Sequence, residues 1–230
     1  MFAICQNCCR FNSKSMSSLV KKLPFSFSTT QAGVILIILH IVGVIGILSS
    51  FSAYIIELTP VNLLISSIFL FLFHPKFDLK FILFFSAAFM IGMGTEWIGV
   101  HTGYLFGNYR YGNVLGPALD GIPYIIGFNW FMLSVCMGTF SNYFKASILV
   151  RSAIGALLMV LMDYIIEPVA IKLGFWTWFG ASIPFSNYIT WFFVSFLIQW
   201  LYHSQKNQNN PIATWLILSQ LFFFLILQFV

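Results

Sequence analysis

The sequence predicts an all-α integral membrane protein, a polytopic helical bundle of about seven transmembrane helices. Three observations lead there. The 230-residue chain is 60% hydrophobic and 7% charged, where soluble domains carry roughly 25% charged residues. Its apolar residues fall into runs near the ~20 residues that a bilayer crossing requires. Its lysines and arginines gather on alternate connections between those runs.

Residues 1–32 read as a cytoplasmic N-terminal tail, with Arg10, Lys14, Lys21 and Lys22 in it. Cys5, Cys8 and Cys9 form a CxxCC without neighbouring histidines. A closed zinc site wants four ligands, so reversible acylation or a reduced tail is expected instead. Met16 offers an alternative start of translation. Residues 33–230 read as one transmembrane domain, because no linker divides them and no internal repeat is found. The first run, 33–56, exceeds the ~7–15 residues of a signal-peptide core and no A-x-A site follows it, so it is expected to stay in the mature protein. Runs at 60–73, 81–100, 123–140, 148–167, 187–202 and 212–230 follow, the second and sixth of them short. Pro123 suits a first helical position, and Pro168 is expected to end the fifth helix.

Alternating these runs places Lys76, Lys80, Lys145, Arg151 and Lys206 on the same side as the tail, leaving Arg110 and Lys172 opposite. The positive-inside rule then predicts a multi-pass protein of the cell membrane with its N-terminus cytoplasmic and its C-terminus outside. That bias accounts for the net charge of +5 and gives no reason to invoke nucleic acid.

Six acidic residues are present in all, and three of them stand at the ends of membrane-length runs: Glu96, Asp163 and Glu167. Ionisable groups at membrane depth point to a functional site. Asp163 and Glu167 are four apart, hence neighbours on one helix face, which extends back through Met159 and Gly155 to Arg151. Two carboxyls so close in a low dielectric do not both ionise cheaply, so one is expected to hold a proton, as a general acid must. The competing interpretation is helix–helix hydrogen bonding, with Gly155 admitting a neighbour. Glu57 and Asp120 read equally well as ordinary outer-side acids.

Glu96 leads into a Gly/aromatic/Asn segment, GVHTGYLFGNYRYGNVLGPALDGIP, read as an irregular, re-entrant or surface loop. Backbone of that kind at membrane depth must be buried in protein or line a cavity. His101 reads first as a structural histidine and otherwise as a second proton carrier. Around the acids stand Trp97, Tyr104, Phe106, Tyr109, Tyr111, Trp130, Trp176, Trp178, Tyr188 and Trp191. They form either an interfacial belt or a pocket whose π-faces hold a polyene and stabilise a cation. Asn108, Asn113, Asn129 and Asn187 are candidates for orienting a water.

Several classes drop out. The four histidines, His40, His74, His101 and His203, are scattered, unlike the clusters of membrane di-iron enzymes. No lysine lies in 212–230 to carry a retinal Schiff base. No Gly-rich dinucleotide loop or metal-ligand cluster is seen, so neither cofactor nor metal is expected.

Two blocks in order carry a family resemblance. The first is Glu96, Gly99, Gly103, Phe106, Gly107, Tyr109, Tyr111, Leu115, Gly116, Pro123 and Trp130; the second is Asp163, Pro168, Trp176, Trp178, Pro184, Asn187 and Trp191. Together, over roughly residues 81–200, they resemble the membrane carotenoid-biosynthesis protein family, which includes the carotenoid hydratases of bacteria and archaea. This chain departs from the pattern in having Glu167 before the proline, where an Asp is usual, and Ser182-Ile183-Pro184 in place of Gly-Val-Pro. The resemblance implies addition of water across the terminal double bond of an acyclic carotenoid, without cofactor. Glu96 or Asp163 would be the acid and Glu167 its partner, and Trp97, His101, Tyr109, Tyr111, Trp130, Trp176, Trp178 and Asn187 would surround the substrate. It also implies a lipophilic polyene taken from the lipid bilayer, and other carotenoid-pathway enzymes as partners. An end-group cyclase uses the same protonation and remains open. A carotenoid-binding or transport protein is the non-enzymatic alternative, although transporters usually show inverted repeats.

Overall fold

The computed structural model describes residues 28–180, 182–205 and 209–229. The cysteine cluster, the basic residues of the tail and Lys206 lie outside them. The described chain is an all-α membrane bundle of eight helices with short strands at one end.

Helix α1, Thr29–Ile47, begins inside the expected tail because Ser28 and Gln31 form a capping box. The expected run 33–56 is not one helix. Ser49 Oγ donates to the Gly46 carbonyl (2.7 Å) and accepts from the Phe51 N–H (3.1 Å), so side chain competes with helical backbone and a turn intervenes. Helix α2, Ser52–Glu57, then folds back on α1, where a Cβ on Gly46 would lie 2.6 Å from Ile55 Cγ1.

Helix α3, Thr59–Leu72, and helix α4, Leu79–Thr102, follow. Asp78 caps α4 through Oδ1, which accepts from the Phe81 N–H (3.0 Å). Gly103 ends it in the left-handed conformation, φ 68°. Strand β1 (Tyr109–Tyr111), a 3-10 turn (Asn113–Leu115) and strands β2 (Ala118–Leu119) and β3 (Ile122–Pro123) lead to helix α5, Tyr124–Ser141. Asp120 and Gly121, both at positive φ, close the β2–β3 hairpin. Pro123 caps α5 rather than opening it.

Helix α5 is buried along most of its length and packs against α3, α4, α6, α7 and α8, which places the core around it. Helix α6, Ile148–Lys172, does not stop at Pro168 as expected but runs on to Lys172. The missing proline N–H removes one intrahelical bond, which a buried membrane helix tolerates when its neighbours hold the backbone. Strand β4 (Trp176–Trp178), helix α7 (Phe185–His203) and helix α8 (Ala213–Gln228) complete the chain. The most extensive helix pair is α6–α7, and a Cβ on Gly155 would lie 2.6 Å from Gln199 Oε1.

Helices α1, α4, α5 and α6 are long and apolar enough to cross a bilayer, where the sequence predicted about seven spans. Helices α3 and α8 are apolar but short, roughly 21 and 24 Å against a ~30 Å hydrocarbon core. Helix α7 interleaves its apolar residues with Ser, Asn, Thr and Gln. One end of the bundle is tied by Asn210 Nδ2 to the Leu70 carbonyl (2.8 Å), Asn142 Nδ2 to Asn209 Oδ1 (2.6 Å) and Gln205 Nε2 to the Lys80 carbonyl (3.2 Å). The strands occupy the other end.

Candidate active site

Three carboxyl groups lie within that strand-bearing end. Glu96 stands on the penultimate turn of α4, and Asp163 and Glu167 on successive turns of α6; all three are at most 4% exposed. In an apolar bundle each needs hydrogen-bond donors, and each has them.

Glu96 accepts three. Tyr109 Oη and Tyr111 Oη both donate to Oε2, the latter at 2.7 Å, and Trp130 Nε1 donates to Oε1 at 3.1 Å. Glu167 Oε2 accepts from Trp176 Nε1 (2.9 Å) and Trp178 Nε1 (3.1 Å). Asp163 Oδ2 accepts from Asn187 Nδ2 (3.0 Å). The described bonds of Asp163 and Glu167 use one oxygen each, which leaves Oδ1 and Oε1 for a ligand.

The donors come from a ribbon that the sequence reading missed. Strands β1 and β4 pair antiparallel, with Tyr109 opposite Trp178, Arg110 opposite Thr177 and Tyr111 opposite Trp176. Side chains alternate along a strand, so both tyrosines and both tryptophans face the carboxyls while Arg110 turns out over the Phe179 ring. The signal was present in YRY and WTW, each an aromatic pair two residues apart. The ribbon is fastened by the Gly112 N–H to the Phe175 carbonyl (2.8 Å) and the Phe179 N–H to the Asn108 carbonyl (3.0 Å).

The local sequence makes room for this packing. A Cβ on Gly99 would lie 2.5 Å from Phe106 Cδ2 and 3.0 Å from Tyr109 Oη. One on Gly92 would lie 2.5 Å from Trp130 Cγ. Trp130 stacks on Trp191 with ring centroids 4.1 Å apart. The tyrosine hydroxyls stay O–H donors: burial, and then the adjacent Glu96 carboxyl, pushes Tyr109 and Tyr111 above the ordinary phenol range.

The carboxyls, the ribbon aromatics, Phe106, Ile126, Asn129, Trp130, Asn187 and Trp191 enclose a cavity of about 40 Å³. Of the residues expected around the substrate, Tyr109, Tyr111, Trp130, Trp176, Trp178 and Asn187 line it. Trp97 and His101 do not. Their α4 face is turned away, where Trp97 Nε1 donates to Asp120 Oδ2 (2.7 Å) and His101 Nε2 lies 3.2 Å from the same oxygen. Of the four asparagines considered for a water, Asn129 and Asn187 reach the cavity, while Asn108 and Asn113 are exposed in the connections. Among the described residues no three His, Cys, Asp or Glu side chains are placed to hold a metal ion.

Chemically, the chamber offers carboxyls for proton transfer and aromatic faces for a cation. Two comparisons bear on it. Part of the chain is similar to the bisanhydrobacterioruberin hydratase of Haloarcula japonica, 28% identical over 127 residues. That stretch covers 51% of this chain and 43% of the relative, so the match spans less than half of the relative's length. No solved structure matches. Residues 53–230, which hold every carboxyl and aromatic of the chamber, match the profile of the family described as carotenoid biosynthesis protein. The chain therefore belongs to the carotenoid biosynthesis protein family.

Proposed function

We propose that this protein is a carotenoid hydratase, adding water to the terminal isopropylidene double bond of an acyclic carotenoid. The observation that carries the reading is the division of labour among the three carboxyls. Glu96 receives donors on both oxygens, whereas Asp163 and Glu167 each keep one oxygen free of the hydrogen bonds described.

Asp163 delivers its proton to the CH carbon of the double bond, and a tertiary cation forms on the carbon bearing the two methyl groups. The indole and phenol faces around it stabilise that cation, and the Glu96 carboxylate faces it as a fixed counter-charge. Glu167, one turn from Asp163, takes a proton from the incoming water as its oxygen bonds to the cation. One C–O and one C–H bond form, and one C=C π bond and one water O–H bond break. A proton passing from Glu167 back to Asp163 restores the site, with no net redox change. The 28% identity to a hydratase supports this reading.

The test is product analysis in cells that make an acyclic carotenoid. In heavy-oxygen water the new hydroxyl carries the label, and in deuterated water one deuterium appears on the adjacent carbon. A new ring at unchanged mass means cyclisation instead, and oxygen drawn from O₂ refutes both.

The chamber is assigned to the outer face of the cell membrane, with the N-terminus cytoplasmic. Lys76, Lys80, Lys145 and Arg151 lie at or near the connections of the opposite end, which supports this orientation. A cysteine placed at Asn113 should react with an impermeant thiol reagent in intact cells; protection until lysis reverses the assignment.

A further inference from the structure

A second, larger cavity of about 220 Å³ lies beside the carboxyl chamber, bounded by α1, α2, α3 and α8 and floored by α5 and α6. Ile126, Asn129 and Trp176 line both cavities, so the two share a wall of three side chains. The lining is mostly apolar and carries the rings of Phe175, Trp176, Phe223 and Phe224. Helix α1 packs closely on α8 and only lightly on α3. At that loose seam Val42, Leu58 and Val61, all more than half exposed, edge the cavity toward the lipid-facing side of the bundle.

The wall is not uniformly greasy. Gln220 is 3% exposed, and among the described residues neither its Oε1 nor Asn62 Oδ1 has a hydrogen-bond partner. A seam built only to be filled by its own packing would not keep two amide oxygens there. By volume, a cavity of ~150 Å³ accepts a six-carbon ring, so this one accommodates roughly two five-carbon units of a flat chain.

Resting on the hydratase reading, we infer that this gallery holds the one or two five-carbon units of the isoprenoid substrate next to its reacting end, which sits among Glu96, Asp163 and Glu167, while the rest of the chain leaves into the bilayer between α1 and α3. The smaller chamber alone, at about 40 Å³, is far too small to hold the chain, so the substrate beyond its reacting end must lie elsewhere. The gallery supplies an aromatic surface that distinguishes a polyene from a lipid acyl chain. Part of the binding free energy then comes from residues that do not meet the reacting atoms.

The test separates binding from turnover. Wild-type protein in nanodiscs is titrated with an acyclic C40 polyene, followed by the circular dichroism an achiral polyene acquires in a chiral site. Leu63→Trp, which fills the gallery, should weaken binding at least tenfold, while Leu63→Met should bind as wild type does. Val61→Trp, at the lipid-exposed mouth, avoids the core and should slow association. A five-carbon alkene with the same end, which does not reach the gallery, should be hydrated equally by wild type and Leu63→Trp. Unchanged binding by Leu63→Trp together with unchanged association by Val61→Trp overturns the gallery, as does absence of any induced signal in the wild type or equal displacement by an acyl lipid. Binding that Leu63→Trp abolishes, in a protein that hydrates nothing, keeps the gallery and refutes the hydratase reading instead.

Discussion

Removing the two tyrosine hydroxyls of the ribbon should disable the site while leaving the bundle standing. Tyr109 and Tyr111 both donate to Glu96 Oε2, and among the described residues Trp130 holds the other oxygen. A hydrogen bond to a charged group contributes about 1.5–3 kcal/mol, and each ~1.4 kcal/mol of barrier is tenfold in rate. Tyr109→Phe or Tyr111→Phe should therefore lower turnover roughly 10- to 100-fold if Glu96 faces a cation. The double variant should fall short of the product of the two, because donors that share one oxygen are coupled. Phenylalanine keeps the ring packing, including the Tyr109–Trp178 contact at 5.1 Å and the edge contact of Tyr111 on Trp176 at 6.1 Å. The assay is hydrated product per folded molecule, normalised to membrane-inserted protein, with thermal unfolding run in parallel. A double variant within about threefold of wild-type turnover but with a clearly lower Tm would refute the argument. The tyrosines would then be clamps on the fold and nothing more.

The remaining predictions use the same assays. Asp163→Asn and Glu167→Gln should each cut turnover about 100-fold or more and still accumulate, since an amide oxygen can accept from Asn187 or from Trp176; Asp120→Asn and His101→Ala, in the outward cluster, should change turnover less than about threefold, as expected of surface positions. Loss of the first pair from the membrane with normal specific activity would return the acids to a structural role. Gly99→Ala should displace the ribbon, because its Cβ would meet Phe106 at 2.5 Å. Overpacking of this kind costs about 1–3 kcal/mol, read as a lower Tm together with lost activity. Alkaline stability follows from the phenols. With Tyr109 and Tyr111 held above their ordinary value by burial and Glu96, their contribution is intact below the unfolded phenol pKa of ~10 and is lost as pH rises through the folded values. Wild-type unfolding temperature should therefore fall more steeply above pH ~10 than that of Tyr111→Phe.

Much of this architecture was legible because a bilayer punishes misplaced polarity. The helical runs, the three embedded acids and the aromatic blocks beside them each stand out against an apolar background. What escaped was set by contacts distant in sequence. The turn at Ser49 depends on a side chain competing for backbone bonds. The continuation of α6 beyond Pro168 depends on neighbours that hold the backbone after one bond is lost. The β1–β4 ribbon joins segments more than sixty residues apart, and three-residue strands leave almost no periodic signal. Trp97 and His101 were adjacent to Glu96 in sequence but turned to another face of α4, and Asp120, supplied by a hairpin, captured both.

The spacing of donors along the chain also bears on how such a protein is made. Among the described residues, every side-chain hydrogen bond onto the three acids comes from a residue synthesised after the acid itself, at most 34 positions later. An insertion machinery releasing α4 into lipid thus holds an uncompensated glutamate only until the next helix emerges, and α6 waits for an even shorter stretch. Each acid is rescued by the piece of chain that follows it. A released chain truncated just after residue 102 or 172 would leave a carboxyl in hydrocarbon without its donors, so such truncated forms should be the ones that quality-control proteases remove first.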